Sequence, residues 1–515
     1  MSESRTKKII HNSSFAILKR VVSIITGFIT KTIFIRTLGL QYVGVSGLFT
    51  DILIMLSLAE LGIGSAITYS LYKPLKEDDF LNIAKLMHFF KLSYRIIAIV
   101  IVCVGIILIP VLPFIVNEVP DIQEGVQLIF ILYVINSATS YLFIYKSILL
   151  IADQKGYIVS NYQIIFSLVK VLFQCIMLLV YKNFIGYLIT EIIVTFIQNY
   201  FISRRANKEY LELERYKNEK LDKKEQKKLF ADVRAVFTYK VSTVVLSGTD
   251  STVISTLINT GSVGLVGNYK AIRGYVSSII AQVFNAMNPT IGNLVADNES
   301  NKYKVFNELL FFTFWVSSLT TVIFYFLLNP FIELWIGRTY LLSEVFVGVF
   351  VFEYYVSTML GPIGSFRLGS GLFIQTKYVT LLMSVINLVV SILLVKRYGV
   401  IGVILGTVIS RLLTQAWYEP YVVYKEVFDK SVKIYYRKYL SYISSTFLSI
   451  AIVKVISVNF LNIENSFFKL IVLIILSIVV NSLVIIIRYS RSDEYQNVKL
   501  RFLRLLNTNH LRRNR

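Results

Sequence analysis

Between Ser13 and Arg488 the chain is an almost unbroken series of about fourteen apolar stretches, each long enough as a helix to cross a bilayer. They fall near residues 13–35, 44–70, 90–116, 125–150, 157–180, 184–203, 233–256, 263–294, 305–329, 341–362, 374–395, 399–423, 438–457 and 467–487. A bilayer core offers no water to unpaired peptide groups, so such stretches must satisfy their backbones internally as helices. The expected fold class is an all-α polytopic membrane protein. Of 515 residues, 55% are hydrophobic, and a mean hydropathy of +0.64 excludes an ordinary soluble domain. The longest polar interval, 204–232, is too short to bury a core of its own.

The net charge of +22 is explained by topology and assigns no nucleic-acid partner. Roughly 35 of the 53 Lys and Arg lie on the side shared by both termini, and about five on the other. The positive-inside rule then places both termini in the cytoplasm, which requires an even number of spans. The run from Arg204 to Lys228 has mixed charges and no Pro or Gly, predicting a helix on the anionic inner leaflet. Residues 491–515 alternate cations with Leu and Phe and predict a basic amphipathic tail, with membrane lipids as its partner. The first apolar stretch is interrupted by Lys19, Arg20 and Lys31 and has no cleavage pattern, so no cleavable signal peptide is expected.

These features divide the chain into an N-terminal lobe of six helices (1–203), a basic linker helix (204–232), and a second six-helix lobe (233–425). Two further helices (426–490) and the tail (491–515) follow. The lobes resemble each other weakly. Segment one leaves the membrane as Ile35-Arg36-Thr37-Leu38 and the chain re-enters through Val43-Gly44-Val45-Ser46-Gly47. Segment seven leaves as Ile254-Ser255-Thr256-Leu257, and re-entry follows through Val263-Gly264-Leu265-Val266-Gly267. The offset is roughly 220 residues, and an even number of spans per half makes the repeats parallel. Two pseudo-symmetric lobes are expected to create a site between them.

A chain that only had to sit in lipid would not need polar stripes along its helices. Segment five carries Ser160, Gln163, Ser167, Lys170 and Gln174 at steps of three and four, which stack on one face. Segment seven repeats this with Lys240, Thr243, Ser247 and Asp250, and segment eight offers Lys270, Arg273, Asn285 and Asn288. Segment one contributes Arg20, Ser23, Thr30 and Lys31, and segment eleven Thr380, Ser384, Asn387 and Ser391. Ser, Thr and Asn also glue membrane helices together, and segment eleven fits that role as well as it fits a cavity wall. A cation at bilayer depth is different: it costs about 2.5–3.5 kcal/mol on insertion scales and persists for pairing, hydration or ligand contact. Lys170, Lys240, Lys270, Arg273 and Arg411 therefore count as candidate cavity cations, with Arg20 and Lys31 on the first stripe. Ser23, Gln163, Ser167, Gln174, Thr243, Ser247, Asn285 and Asn387 count as polar lining, and Asp51, Glu60 and Asp250 as pairing or coupling carboxylates. More cations than carboxylates at depth point to transport of an anion such as a phosphate or pyrophosphate.

No enzyme motif is present: there is no phosphate-binding Gly-rich loop, no Asp-x-Asp signature and no nucleophile–base pair. Cys103, Cys175 and three scattered histidines give no metal-ligand spacing, so neither metal nor cofactor is expected. Energy must come from gradients, with Na⁺, H⁺ and membrane potential all open, or from the substrate.

The stretch Glu60-Leu61-Gly62-Ile63-Gly64-Ser65-Ala66-Ile67, with Tyr69-Ser70-Leu71-Tyr72-Lys73-Pro74-Leu75 after it, resembles the segment-two signature of bacterial polysaccharide exporters. So does Tyr145-Lys146-Ser147-Ile148-Leu149-Leu150-Ile151-Ala152-Asp153-Gln154-Lys155, and Gly248-Thr249-Asp250-Ser251 is similar to the segment-seven pattern. The chain thus resembles the Wzx-like oligosaccharide flippases of the multidrug/oligosaccharidyl-lipid/polysaccharide exporter superfamily, which have a MATE-like fold. That resemblance implies transfer of undecaprenyl-diphosphate-linked repeat units from inner to outer leaflet of the bacterial plasma membrane, for O-antigen, capsule or similar glycans. It implies rocking of the lobes, a lipid-linked glycan as substrate, and a glycan polymerase among further partners. Arg20, Lys31, Lys170, Lys240, Lys270, Arg273 and Arg411 become candidate headgroup contacts, and Asp250 a coupling site. A drug or organic-cation antiporter of the same superfamily would favour acidic cavity residues, and a membrane glycan polymerase would need a larger external loop.

Overall fold

A computed structural model describes residues 5–57, 63–116, 122–227, 229, 248–296, 301–460 and 466–501. The chain divides into two compact units, Met1–Gly267 and Asn268–Arg515. The first contains α1 (Arg5–Leu38), α2 (Leu40–Leu56), α3 (Ile63–Lys76), α4 (Phe80–Leu108) and α5 (Leu112–Ile115). It continues with α6 (Val126–Tyr141), α7 (Ile144–Ala152), α8 (Gly156–Leu179) and α9 (Phe184–Glu209). Helix α10 (Thr260–Ala296) begins in the first unit and continues in the second. The second unit then adds α11 (Lys302–Ile336), α12 (Glu344–Met359), α13 (Gly361–Gly369), α14 (Phe373–Tyr398) and α15 (Val400–Leu413). It ends with α16 (Gln415–Val423), α17 (Lys433–Phe460) and α18 (Ser466–Tyr489), and residues 493–501 are helical too.

The described residues contain helices and no strand, as the apolar pattern requires. Ten of these helical segments are long and apolar enough to cross a membrane, and α6 with α7, bent by 40°, makes an eleventh. The other expected spans correspond to α2 with α3, to the helical residues 248–257, and to α10. The protein is thus a multi-pass membrane protein. Side chains such as Ile107, Leu393 and Ile487 are well exposed on these helices, which suits contact with lipid tails.

Two local features depart from the simplest reading of the sequence. In the stretch 44–70, α2 stops at Leu56 with Ser57 as its cap, residues 58–62 lie outside the described residues, and α3 is described from Ile63. The basic stretch 204–232 is not one continuous helix. α9 ends at Glu209, a 3₁₀ turn covers Leu211–Tyr216, and a short helical piece resumes at 223–227. Tyr210 causes the break: its hydroxyl donates to Asp153 at 2.6 Å, and Lys155 lies over its ring, which draws the chain back onto the start of α8. The tail beyond residue 501 lies outside the described residues.

Residues 248–267 pack with the first unit, a later division than the basic stretch suggests. The reason is contact with α2. Ser251 donates to Asp51, and Gly248 lies against Met55. The two repeat glycines also meet: a Cβ built on Gly264 would stand 2.9 Å from the Gly44 nitrogen, and one on Gly44 would strike the Thr260 carbonyl. Only glycine allows these helix starts to cross so closely.

In the second unit an aromatic core joins α11, α13, α16 and α17. It includes Phe306, Phe311, Phe314, Phe366, Tyr424, Tyr435 and Tyr442. Phe314 and Tyr442 stack with centroids 4.2 Å apart. The last two long helices are attached by hydrogen bonds as well as by packing. Ser318 of α11 donates to Asn481 of α18 at 2.7 Å, and Thr446 of α17 donates to Ser318 at 3.0 Å.

Candidate functional site

The deep cations are arranged differently in the two units. In the first, α8 and α9 form a hairpin that brings Lys170 against Glu191, Nζ to Oε1 at 2.8 Å. Gln174, one turn further along α8 and almost wholly buried, donates to the other oxygen of Glu191 at 2.7 Å. The stripe on segment five thus converges on one carboxylate 21 positions after Lys170. Gln163 is half-buried on the same helix, and Ser167 bonds back to the Ile164 carbonyl at 2.8 Å.

Glu191 also lines a cavity of about 460 Å³ bounded by α2, α6 and α9. Its polar wall includes Ser46, Thr50, Tyr133, Asn136 and Tyr187. The Asn136 carbonyl oxygen is buried there with no hydrogen-bond partner among the described residues. Such a chamber offers hydroxyl and amide groups to a polar ligand, with a charge already balanced at its edge.

On α1, Arg20 and Ser23 are exposed, whereas Lys31 is half-buried and donates to the Gly267 carbonyl at 2.8 Å. Asp51 accepts from Ser251 and Asp250 is buried close by in sequence. Lys240, Thr243, Ser247 and Glu60 lie outside the described residues, as does the side chain of Asn285.

In the second unit the balance is different. Arg273 of α10 and Arg411 of α15 share one carboxylate, Glu353 of α12. Arg411 reaches Oε1 at 3.1 Å and also donates to the Ser357 hydroxyl at 2.7 Å. Arg273 grips the other oxygen, with its guanidinium about 5.4 Å and 5.5 Å from the ring centroids of Phe350 and Tyr354. Lys270, one turn earlier on α10, is close enough to act electrostatically on Glu353. Two arginines therefore share one carboxylate, an excess of one positive charge, and Lys270 acts on the same group. Glu353 is 5% exposed while Arg273 keeps 21%, so the cations, not the carboxylate, are presented outward.

A second buried pair is balanced. Arg367 of α13 meets Glu419 of α16 at 3.2 Å, with both side chains buried, and Arg367 donates to Thr376 at 3.0 Å. Asn387, the polar candidate on segment eleven, is 1% exposed and donates to Thr407 at 2.9 Å, joining α14 to α15. Here the helix-joining use of a polar stripe is the one the geometry shows.

The second unit also holds an apolar cavity of about 460 Å³ bounded by α11, α12, α15 and α17. Val349, Phe352, Leu405, Ile443, Phe447 and Ile450 line it. Such a wall accepts hydrocarbon and repels charge. Reading the sequence by stripes missed Arg367, because the glycines of Gly361-Pro362-Ile363-Gly364 and of Gly369 to Gly371 suggest a loop there. An arginine beside a buried-type Phe366 in an apolar setting was the available signal.

The architecture is the fold shared by solved lipid-flippase and multidrug-exporter structures. No family model matches the sequence, nor does any curated protein. A structure of the lipid II flippase MurJ in an inward closed conformation superposes with a TM-score of 0.65 at 15% identity, over 93% of this chain and 99% of that one. A mutant of the Vibrio cholerae MATE transporter VcmN gives 0.57 at 12% identity, over 83% and 99%. An inward-facing multidrug-resistance MATE transporter of the MOP superfamily gives 0.55 at 13%, over 76% and 91%. These likenesses show a common fold.

Proposed function

We propose that the protein is a flippase for an anionic lipid-linked oligosaccharide. Its cargo in this reading is an undecaprenyl-diphosphate-linked repeat unit, moved from the inner to the outer leaflet of the bacterial plasma membrane during surface-glycan assembly. Both termini are cytoplasmic in this reading. The observation that carries it is the positive excess around Glu353. Arginines bind phosphate oxygens in a fork and a lysine acts as a point charge, so Arg273, Arg411 and Lys270 suit a diphosphate. The apolar cavity of the second unit suits part of a prenyl chain. The named activity of the MurJ neighbour, flipping of lipid II, is compatible with this class of cargo. Transport then consists of exposing the cationic cluster alternately to the two sides of the membrane.

The test is a set of replacements followed by two readouts. Arg273→Ala with Arg411→Ala is expected to abolish surface-glycan display and to leave lipid-linked repeat units on the cytoplasmic leaflet. Protein level is measured in parallel, and Arg273→Lys, which keeps the charge but loses the fork, should retain partial display. Normal display in the double variant at wild-type protein level would overturn the proposal. So would protection against cationic drugs without any glycan phenotype on deletion, which would favour a drug antiporter.

A further inference from the structure

At the end of the first unit where α9 runs into the basic stretch, there is a second cavity of about 420 Å³ with a different character. It is enclosed by α4, α7, α9 and the 3₁₀ turn Leu211–Tyr216, and its wall includes His88, Lys91, Lys146, Asn207, Tyr210 and Lys217. Lys91 and Lys146 stand close enough for their charges to repel each other. Neither forms an ion pair among the described residues.

The neighbouring carboxylates are already engaged. Asp153 and Glu209 hold Lys155 at 2.9 and 3.0 Å, Glu209 also holds Arg205 at 3.2 Å, and Asp153 accepts from Tyr210. Glu214, the carboxylate on the cavity wall, holds Lys217 at 3.3 Å and acts on Lys146 only from a distance. Three lysines against one glutamate leave the wall with two excess positive charges. Lys91 is exposed and Lys146 half-buried, and an anion in the hollow would relieve the repulsion between them. Water screens this repulsion only incompletely at Lys146.

The rim says where that anion comes from. Leu211, on the edge of the cavity, is 72% exposed, and Leu213 and Met87 continue the apolar side inward. An exposed leucine beside a cationic hollow at the end of membrane-crossing helices fits the boundary between headgroups and acyl chains. We infer that this cavity binds the phosphate of an anionic lipid headgroup, with Lys91 and Lys146 as the charge contacts and Asn207 as a hydrogen-bond donor. The inference is independent of the transported cargo, because none of these residues belongs to the cluster around Glu353.

The test uses the purified full-length protein in detergent. It is incubated with phosphatidylglycerol, with phosphatidylcholine, or with inorganic phosphate, and bound molecules are counted by native mass spectrometry. The wild type is expected to retain phosphatidylglycerol in preference to phosphatidylcholine. Lys91→Gln and Lys146→Gln should each weaken that retention by about fivefold, and the double variant should lose the preference. Lys217→Gln, on an exposed turn, gives a smaller loss and serves if the double variant is not monodisperse. Equal retention of the two lipids, or unchanged phosphatidylglycerol retention in both single variants, would overturn the inference. Binding of inorganic phosphate without any retention of phosphatidylglycerol would overturn the lipid source and assign the cavity to a soluble phosphate.

Discussion

Arg367 and Glu419 illustrate how a buried ion pair differs from a binding site. Their side chains are 4% and 1% exposed and 3.2 Å apart, and Gln415 donates to Glu419 at 3.2 Å. One positive and one negative charge leave nothing for a ligand to neutralise. Removing one partner leaves the other charge buried, which costs roughly 3–5 kcal/mol, whereas replacing both with apolar side chains is often neutral. Glu419→Gln should therefore lower the melting temperature of the detergent-purified protein sharply, and Arg367→Met with Glu419→Met should recover most of the loss. Equal melting temperatures for wild type and Glu419→Gln would refute a stabilising role. At Glu353 two arginines meet one carboxylate, and under the proposed function that surplus charge is what an anionic cargo would neutralise. Sequence reading found the cations of that cluster because lysine and arginine at bilayer depth need a reason. It could not pair them, since Glu353 is 80 positions from Arg273 and 58 before Arg411. Lys170 and Gln174 were legible as a stripe, but their shared dependence on Glu191 emerged only from the α8–α9 hairpin.

At the scale of elements, α14 and α15 form a hairpin whose closeness depends on glycine. The turn is made at Gly399, with φ of +55°, a backbone conformation that side chains rarely adopt. Beyond it, a Cβ on Gly402 would strike the Leu394 carbonyl, and one on Gly406 would strike the Ser391 hydroxyl and stand 2.9 Å from the Ser391 nitrogen. The Asn387–Thr407 bond sits at the same crossing. Gly406→Val should thus force the helices apart and break that bond. The overpacking alone costs about 1–3 kcal/mol, so a lower melting temperature and reduced membrane accumulation are expected. Gly267→Ala, at a position with no atom within 4 Å of the added Cβ, should change little and provides the comparison. Unchanged melting of Gly406→Val would show that this crossing is looser than its geometry. Periodicity and hydropathy located the long helices well, because bilayer thickness dictates their length. They did not reveal the end of α2 at Leu56, the 40° bend between α6 and α7, or the turn after Tyr210. Breaks of this kind depend on tertiary contacts, such as Tyr210 with Asp153, that leave no mark on hydropathy.

For the whole molecule, the likeness to MurJ at 15% identity shows how little of a membrane fold is written in particular residues. Apolar length and spacing specify the helices, and the same scaffold serves exporters of different names, so cargo must be argued from charge. The neighbours divide into a lipid flippase and multidrug transporters, and this chain presents two arginines on Glu353, with Lys270 acting on the same group. A cationic drug would meet repulsion at that cluster, whereas a diphosphate would relieve it. Undecaprenyl diphosphate should accordingly raise the melting temperature of the purified protein, with neutral undecaprenol and cationic dyes giving smaller shifts or none. The diphosphate shift should shrink between about 0.1 M and 1 M salt, where the screening length falls from roughly 10 Å to 3 Å. It should persist in the variant lacking Lys91 and Lys146, since those residues face another cavity, and disappear in Arg273→Ala with Arg411→Ala. A shift that survives loss of both arginines would place headgroup recognition elsewhere in the chain. A larger shift with the dyes than with the diphosphate would assign the cluster a purely structural role and favour export of organic cations.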